Sequence, residues 1–341
     1  MTITNSAFIR SSGRYVPETI IKNDDLPKEL ETNDEWIRPR SGIRERRYVK
    51  PGWKNSDLAL KAVQNLLTKG EIDDQEIDCI IFATLSPDIV FPGTGVFLQD
   101  KLGWAERCIP CFDIRQQCAG FIYGLQMAKV FVESGTYNNV LLVGSELQSN
   151  LFDNSVRGRS VTVLFGDGAA AVVVSRSADP QSGILFIENH ADGRGAMNGL
   201  HMKIYDIGKK PVVDYDPHDF NANADLFPQM PSSKNLFSNA VRRMTEVSLS
   251  ALKHLELSTD DIDWVLPHQA NKRINNMVAE KLGIPTAKVL YNIHKYGNTS
   301  AATIPLLLAE FTADGTIQRG DLLLLVAFGS GFTWGAAVMR Y

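Results

Sequence analysis

Cys118 stands where a strand-like apolar stretch gives way to a helix-like one that runs to about Val132. A thiol at the first turn of a buried helix meets unpaired backbone N–H groups and the positive end of the helix dipole, and both favour the thiolate. Ala119 and Gly120 are small, so that a substrate carbonyl could reach the thiol and place its oxyanion on the first-turn amides. The pattern predicts a nucleophile, with a buried structural cysteine as the alternative.

His268 and Asn298 are two further polar residues whose positions suggest chemistry. His268 follows the apolar residues 265–267, and α/β sheets place ligands at the carboxyl ends of their strands. Asn298 lies in the Gly-Asn-Thr-Ser segment 297–300, ahead of a helix-like stretch. A hydrogen-bonded structural histidine and a helix N-cap are the structural alternatives for these two residues.

An internal repeat relates the two parts of the chain. Residues 76–82 resemble 261–266, and the Lys-Leu-Gly at 101–103 recurs at 281–283. The spacing of that second pair also sets Cys118 against Asn298. An apolar strand and then a glycine-alanine strand follow in the same order in each part. Five short similarities in the same order are difficult to explain by chance.

The repeat predicts an α/β fold of two like halves, residues 1–180 and residues 181–341, related by a pseudo-two-fold axis. Cys118 and Asn298 would then meet at the centre, beside His268. A cysteine protease would use His to take the thiol proton and Asn to orient that His. Two neutral donors aimed at one carbonyl oxygen instead suit an enolate formed next to a thioester.

Composition narrows the function classes. The chain has 341 residues, a net charge of −4 and 22% charged residues, which gives no electrostatic case for nucleic acid or a membrane surface. It shows neither a signal-peptide pattern nor a membrane-length apolar run, so we expect a cytoplasmic protein. The C-x-x-C at 108–111 lacks a second ligand pair, so no metal site is expected.

Residues 207–233 break the periodicity and are interpreted as a surface excursion that could cover the site.

Taken together, these residues resemble the β-ketoacyl-acyl-carrier-protein synthase III family of the thiolase superfamily, nearly end to end. The resemblance implies a five-layer αβαβα fold and a homodimer that needs no metal or cofactor. The matching motifs lie at 34–37, 42–46, 118–121, 165–169, 267–271, 297–301 and 328–335.

The resemblance also implies a reaction. Cys118 would take an acyl group from acyl-CoA. Malonyl on acyl carrier protein would lose carbon dioxide and attack that acyl group, as in the initiation of fatty acid synthesis. His268 and Asn298 would stabilise the enolate, and the amides of Cys118 and Ser330 would form the oxyanion hole.

Binding residues follow from the same resemblance. Those implied for CoA are Trp36, Arg40, Arg159 and Asn271. Phe91 is implied to reach the acyl pocket of the partner subunit, and Arg273 is implied to dock the carrier protein.

Three positions depart from the family pattern. Ser330 stands where many members have glycine, and Ser238 and Glu280 replace basic residues that help to bind CoA or the carrier. A specialised condensing enzyme or acyltransferase of the same fold, of the alkylquinolone or polyketide type, is therefore the alternative. An enzyme of this fold that condenses without decarboxylation would need an acidic base at the position of Phe91. A protein that only binds acyl groups or a partner would not need Cys118, His268 and Asn298 together. The sequence does not specify the length of the acyl chain.

Overall fold

The computed structural model describes residues 6–177, 179, 182–202 and 227–341. Most of the predicted excursion at 207–233 lies outside these residues, and its last residue begins a long helix. The strands in the described residues are β1 (Ser6–Tyr15), β2 (Thr19–Lys22), β3 (Glu45–Tyr48), β4 (Cys79–Ala83), β5 (Cys111–Ile114), β6 (Asn139–Glu146), β7 (Gly168–Ser177), β8 (Gly183–Ala191), β9 (Trp264–Pro267), β10 (Leu322–Gly329) and β11 (Thr333–Arg340). The helices are α1 (Asp34–Ser41), α2 (Asn55–Leu67), α3 (Thr94–Lys101), α4 (Gly120–Glu133), α5 (Arg159–Thr162), α6 (Ser233–His254), α7 (Lys272–Leu282), α8 (Ile293–Tyr296) and α9 (Thr303–Ala313).

Two sheets repeat one pattern of strand directions. The first has the order β1-β7-β6-β4-β5, in which β4 is parallel to β5 and β6, and β7 is antiparallel to β6 and β1. The second has the order β8-β11-β10-β9 with the same alternation, and Val289 pairs with Val265 where β5 would stand. The predicted division between residues 180 and 181 falls on residues outside the described part and stays a prediction.

The layers alternate between helices and sheets. A buried apolar cluster joins the inner faces of both sheets to α4 and α9, which lie between them. A second cluster covers the outer face of the first sheet with α2 and α3, and a third covers the second sheet with α6 and α7. Because both faces of each sheet are covered, its central strands are largely apolar; every residue of β10 is buried. No helix in the described residues is long and apolar enough to cross a membrane.

Each central helix is preceded by a 3₁₀ turn of the same geometry. The turn Gln117–Ala119 leads into α4, and the turn Ser300–Ala302 leads into α9. The first residue of each turn has a positive φ, 45° at Gln117 and 46° at Ser300, which is uncommon outside glycine. By this geometry Cys118 corresponds to Ala301. The predicted correspondence of Cys118 with Asn298 is therefore wrong, because Asn298 lies in the loop before the second turn.

The two turns pack against each other at the centre of the molecule. A Cβ on Gly120 would lie 3.3 Å from the Cβ of Ala301, and a Cβ on Gly144 would lie 2.6 Å from the Ala301 carbonyl oxygen. Larger side chains at either glycine would push the second turn away from α4 and β6. Cys118 and the loop that carries Asn298 therefore lie close together, although Cys118 is aligned with Ala301 and not with Asn298.

Candidate active site

A cavity of about 610 Å³ opens above the two turns. Its wall brings together Cys118, His268 and Asn298. The other predicted site residues on this wall are Ser330, Trp36, Arg40, Asn271 and Arg273. Arg159 and Phe91 do not line the cavity.

Cys118 is the middle residue of the 3₁₀ turn, two residues before the start of α4. Burial raises the pKa of its thiol to about 12, although hydrogen bonds from the Ser300 hydroxyl and the Asn298 side chain act to lower it. The Ser300 hydroxyl is 3.8 Å from the Cys118 sulfur. This direction is opposite to the predicted stabilisation of the thiolate, because the loss of hydration acts against the charged form more strongly than the local donors act for it.

Asn298 is held from both sides by backbone hydrogen bonds. Its N–H donates to the Leu164 carbonyl at 2.8 Å, and its carbonyl accepts from the Gly166 N–H at 3.2 Å. Its side-chain oxygen accepts from the Ser300 N–H at 2.8 Å. That bond forms an Asx turn before the second 3₁₀ turn, whose N-cap is Thr299, so Asn298 is not the N-cap that the structural alternative required. It leaves the NH₂ group as the end that bonds Cys118.

His268 lies directly after β9, and its backbone N–H donates to the Val326 carbonyl at 2.8 Å. The side chain is buried, and this lowers its pKa to about 3, so the imidazole is neutral at physiological pH. Nδ1 is 2.7 Å from the Thr303 hydroxyl. Nε2 is buried and has no hydrogen-bond partner among the described residues. The imidazole can therefore supply or accept one hydrogen bond at the cavity wall without a change of charge.

Gly329 ends β10 beside the nucleophile, and Ser330 follows it. A Cβ on Gly329 would lie 3.1 Å from the backbone nitrogen of Cys118 and 3.2 Å from that of Ala119. The absence of a side chain keeps the space before these amides open. The Ser330 hydroxyl accepts from the Leu200 N–H at 2.8 Å. Serine at this position thus holds Leu200, which also lines the cavity wall.

The four residues predicted to bind CoA converge at the mouth of the cavity. The guanidinium carbons of Arg40 and Arg159 lie 4.7 Å and 5.5 Å from the centroid of the Trp36 ring. Asn271 donates through its side chain to the Arg40 carbonyl at 2.9 Å. Arg159 does not line the cavity itself, but it contacts the Trp36 ring, which does. An aromatic ring close to two guanidinium groups is suited to a flat, anionic ligand.

The remaining predicted residues lie on the surface. Arg273 stacks its guanidinium carbon 5.6 Å from the Phe237 ring at the cavity mouth, near Ser238. Glu280 lies farther along α7 and is exposed. Phe91 is 82% exposed, in a loop that also exposes Ile89 and Val90. So exposed an aromatic ring is unusual for an isolated chain.

Three buried residues near the site were missed by the sequence reasoning. Ser300 reaches the Cys118 sulfur, and Thr303 reaches His268. Glu146 is fully buried, accepts from the Ser86 hydroxyl at 2.6 Å, and has a pKa raised by burial to about 7. Glu146 could have been found from the sequence, because it is an acidic residue at the end of an apolar strand. Nothing in the local pattern distinguished Ser300 and Thr303 from ordinary helix-start residues. In the described residues no group of three acidic, histidine or cysteine side chains could hold a metal.

Comparison with known proteins identifies the family. Residues 112–193 match the family model of 3-oxoacyl-[acyl-carrier-protein (ACP)] synthase III, and residues 252–341 match the model of its C-terminal part. The β-ketoacyl-[acyl-carrier-protein] synthase III of Alkalilimnicola ehrlichii is 41% identical over 336 residues, and that of Bacillus pumilus is 40% identical over 336 residues. Each alignment covers 98% of this chain and 99% of the relative.

The chain belongs to the β-ketoacyl-acyl-carrier-protein synthase III family. The crystal structure of 3-oxoacyl-[acyl-carrier-protein] synthase III from Aquifex aeolicus VF5 superposes with a TM-score of 0.87 at 40% identity, covering 98% of this chain and 100% of that one. The predicted family, the thiolase-like fold and an acyltransferase for the initiating condensation of fatty acid synthesis are thereby confirmed. The specialised alternative is not favoured.

Proposed function

We propose that Cys118, His268 and Asn298 are the catalytic residues of this synthase, with acyl-CoA as donor and malonyl-acyl carrier protein as acceptor. The observation that supports the assignment most strongly is their position on one cavity wall. The buried, neutral imidazole and the oriented amide are donors without charge. Such donors suit a reaction in which negative charge develops on a carbonyl oxygen.

In the first half-reaction the Cys118 sulfur attacks the thioester carbon of acyl-CoA. The oxyanion that forms would accept hydrogen bonds from the backbone N–H groups of Cys118 and Ser330, next to the open space at Gly329. When the intermediate collapses, the carbon–sulfur bond to CoA breaks, and the thiol proton goes to the departing CoA sulfur. Acyl-Cys118 and free CoA result, with no net change in charge.

In the second half-reaction the malonyl thioester loses its carboxylate as carbon dioxide. The electron pair of the broken carbon–carbon bond moves onto the thioester oxygen, where His268 and Asn298 would hold the enolate. The enolate carbon attacks acyl-Cys118, the bond to sulfur breaks, and the thiolate regains a proton from solvent. The product is a β-ketoacyl thioester on the carrier protein, and no step uses a metal or an organic cofactor.

Binding of the two substrates follows from the mouth of the cavity. Trp36 would stack the base of CoA between Arg40 and Arg159, while Asn271 lines the passage toward Cys118. Arg273 would contact the carrier protein. We also propose a cytoplasmic homodimer, in which Phe91 is covered by the partner subunit and reaches its acyl pocket.

Intact-protein mass spectrometry tests the proposal directly. The protein is mixed with acyl-CoAs from acetyl to dodecanoyl and with an aryl-CoA, and malonyl-acyl carrier protein is added afterwards. We expect a mass increase equal to the acyl group, its absence in Cys118→Ala, and its presence in Cys111→Ala, a matched control outside the cavity. The acyl group should then appear as a β-ketoacyl carrier protein.

Three other results would change the assignment. Loading that persists in Cys118→Ala would exclude Cys118 as the nucleophile. Decarboxylation that survives in both His268→Ala and Asn298→Ala would exclude their role at the enolate. Loading by only long or aryl groups, or transfer to another acceptor, would favour the specialised alternative.

A further inference from the structure

The Thr303 hydroxyl lies between two groups that compete for its single proton. Thr303 is the first residue of α9 and is 1% exposed. Its oxygen is 2.9 Å from the Ser300 carbonyl oxygen and 2.7 Å from His268 Nδ1. A carbonyl oxygen can only accept a hydrogen bond, whereas an imidazole nitrogen donates or accepts according to the tautomer.

The direction of this hydroxyl determines which nitrogen of His268 carries the proton. If Thr303 donates to the Ser300 carbonyl, Nδ1 must donate to Thr303, and Nε2 is left with a bare lone pair. If Thr303 donates to Nδ1, the proton of the neutral imidazole is on Nε2. Because the ring is buried and neutral, it does not escape the choice by binding a second proton.

Only one of these tautomers suits the condensation. Nε2 has no partner among the described residues, and His268 lines the same wall as Cys118 and Asn298. An enolate oxygen placed there needs an N–H donor, and a bare lone pair would repel it. The other tautomer presents a lone pair to the cavity, which offers nothing to a developing anion.

We propose that Thr303 is a positioning residue that donates to His268 Nδ1 during condensation and thereby holds Nε2–H toward the malonyl thioester oxygen. The inference rests on the enolate role of His268 in the proposed function. It adds a residue that touches neither substrate and acts only through the imidazole. It also predicts that the two half-reactions respond differently, because acyl transfer to Cys118 does not use the Nε2 proton.

Substitutions at position 303 separate the hydroxyl from the volume of the side chain. Thr303→Val removes the hydroxyl at nearly constant volume, and Thr303→Ser retains it. Thr312→Val is the matched control, since Thr312 lies on the same helix but does not line the cavity. Its hydroxyl bonds the Ala309 carbonyl at 3.5 Å and the Tyr341 side chain. Loading by acetyl-CoA is followed by intact mass, and decarboxylation of malonyl-acyl carrier protein is followed by release of carbon dioxide.

We expect Thr303→Val to slow decarboxylation about ten- to hundredfold, as the loss of one oriented hydrogen bond predicts, and to leave loading within about threefold. Thr303→Ser and Thr312→Val should stay within about threefold in both assays. Equal losses in the two half-reactions, or no loss in either, would overturn the inference. His268→Ala is measured in parallel: if decarboxylation survives that change, the proposed enolate role fails instead.

Nitrogen NMR of ¹⁵N-histidine-labelled protein reads the tautomer itself. The signal of His268 is assigned by its loss in His268→Gln. We expect the proton on Nε2 in the acylated wild-type protein and in Thr303→Ser, and a mixture of tautomers in Thr303→Val. A proton on Nδ1 in the acylated wild type would overturn the inference without any substitution, so the test holds even if Thr303→Val does not fold.

Discussion

Gly329→Ala should abolish most of the activity while the protein remains folded. The added methyl carbon would lie 3.1 Å from the Cys118 nitrogen, and an oxyanion bound to that N–H would sit at about 2.7–3.1 Å from it. The two atoms would therefore compete for the same space. The neighbouring Ala119 N–H is not a substitute, because it already donates to the Gln116 carbonyl at 3.1 Å.

The size of the effect follows from the loss of one oxyanion donor. Such a loss costs about 3–4 kcal/mol in the transition state, or about 10²–10³ in rate. Stability should change much less, because the contacts at 3.1–3.2 Å need shifts of only a few tenths of an ångström. Overpacking of that kind costs about 1–3 kcal/mol. Rate and stability therefore respond by clearly different amounts.

The assay compares loading of Cys118 by acetyl-CoA with the thermal midpoint of each variant. Gly193→Ala is the matched control, because a Cβ at this glycine meets nothing within 4 Å. We expect slow loading only in Gly329→Ala and similar unfolding in both variants. Loading within about threefold of wild type in a folded Gly329→Ala would refute the placement of the oxyanion before the Cys118 amide.

Three further predictions concern Asn298, Glu146 and Trp36. Asn298→Asp keeps an acceptor for the Ser300 N–H but places an oxygen instead of an NH₂ group next to the enolate. The rate of carbon dioxide release should therefore fall about 10²–10³-fold. An unchanged rate would contradict the role of the amide. Burial raises the pKa of Glu146 from 4.5 to about 7. Between these two pH values Glu146 is ionised in the unfolded chain but still protonated in the folded one, so the free energy of unfolding should fall by about 3 kcal/mol as pH rises. Urea titrations at pH 5 and pH 8 measure that fall, and Glu146→Gln should remove it. Trp36→Ala should raise KM for acyl-CoA about tenfold and leave KM for acyl-pantetheine unchanged, and equal increases would argue against stacking of the base.

Much of the architecture was predictable because covered sheets need apolar strands. The run Leu322–Val326 and its counterpart at 140–143 were recognisable as strands without any knowledge of their neighbours. The polar residues that interrupt such patterns, Cys118 and His268, were recognisable as candidates for the same reason. Their joint presence on one cavity wall followed from the fold that the motifs indicated.

The detailed correspondence of the two halves was not predictable. Equal spacing in the chain suggested Cys118 and Asn298 as partners, but the turns align Cys118 with Ala301. Backbone dihedrals and hydrogen bonds determine that alignment, and short sequence similarity does not report them. Asn298 reaches the site because its backbone is bonded to Leu164 and Gly166, residues far from it in the chain.

The sequence by itself determined the family, the layered fold and the three polar residues of the site, because these depend on local pattern and on motifs with narrow spacing. Only the tertiary structure decided in which direction the pKa values of the site residues are shifted. Burial raises the pKa of the Cys118 thiol and lowers the pKa of the His268 imidazole, and burial is a property of all the elements that pack around a residue. The contact between Thr303 and His268 joins α9 to the end of β9, and it exists only where the chain has folded back on itself.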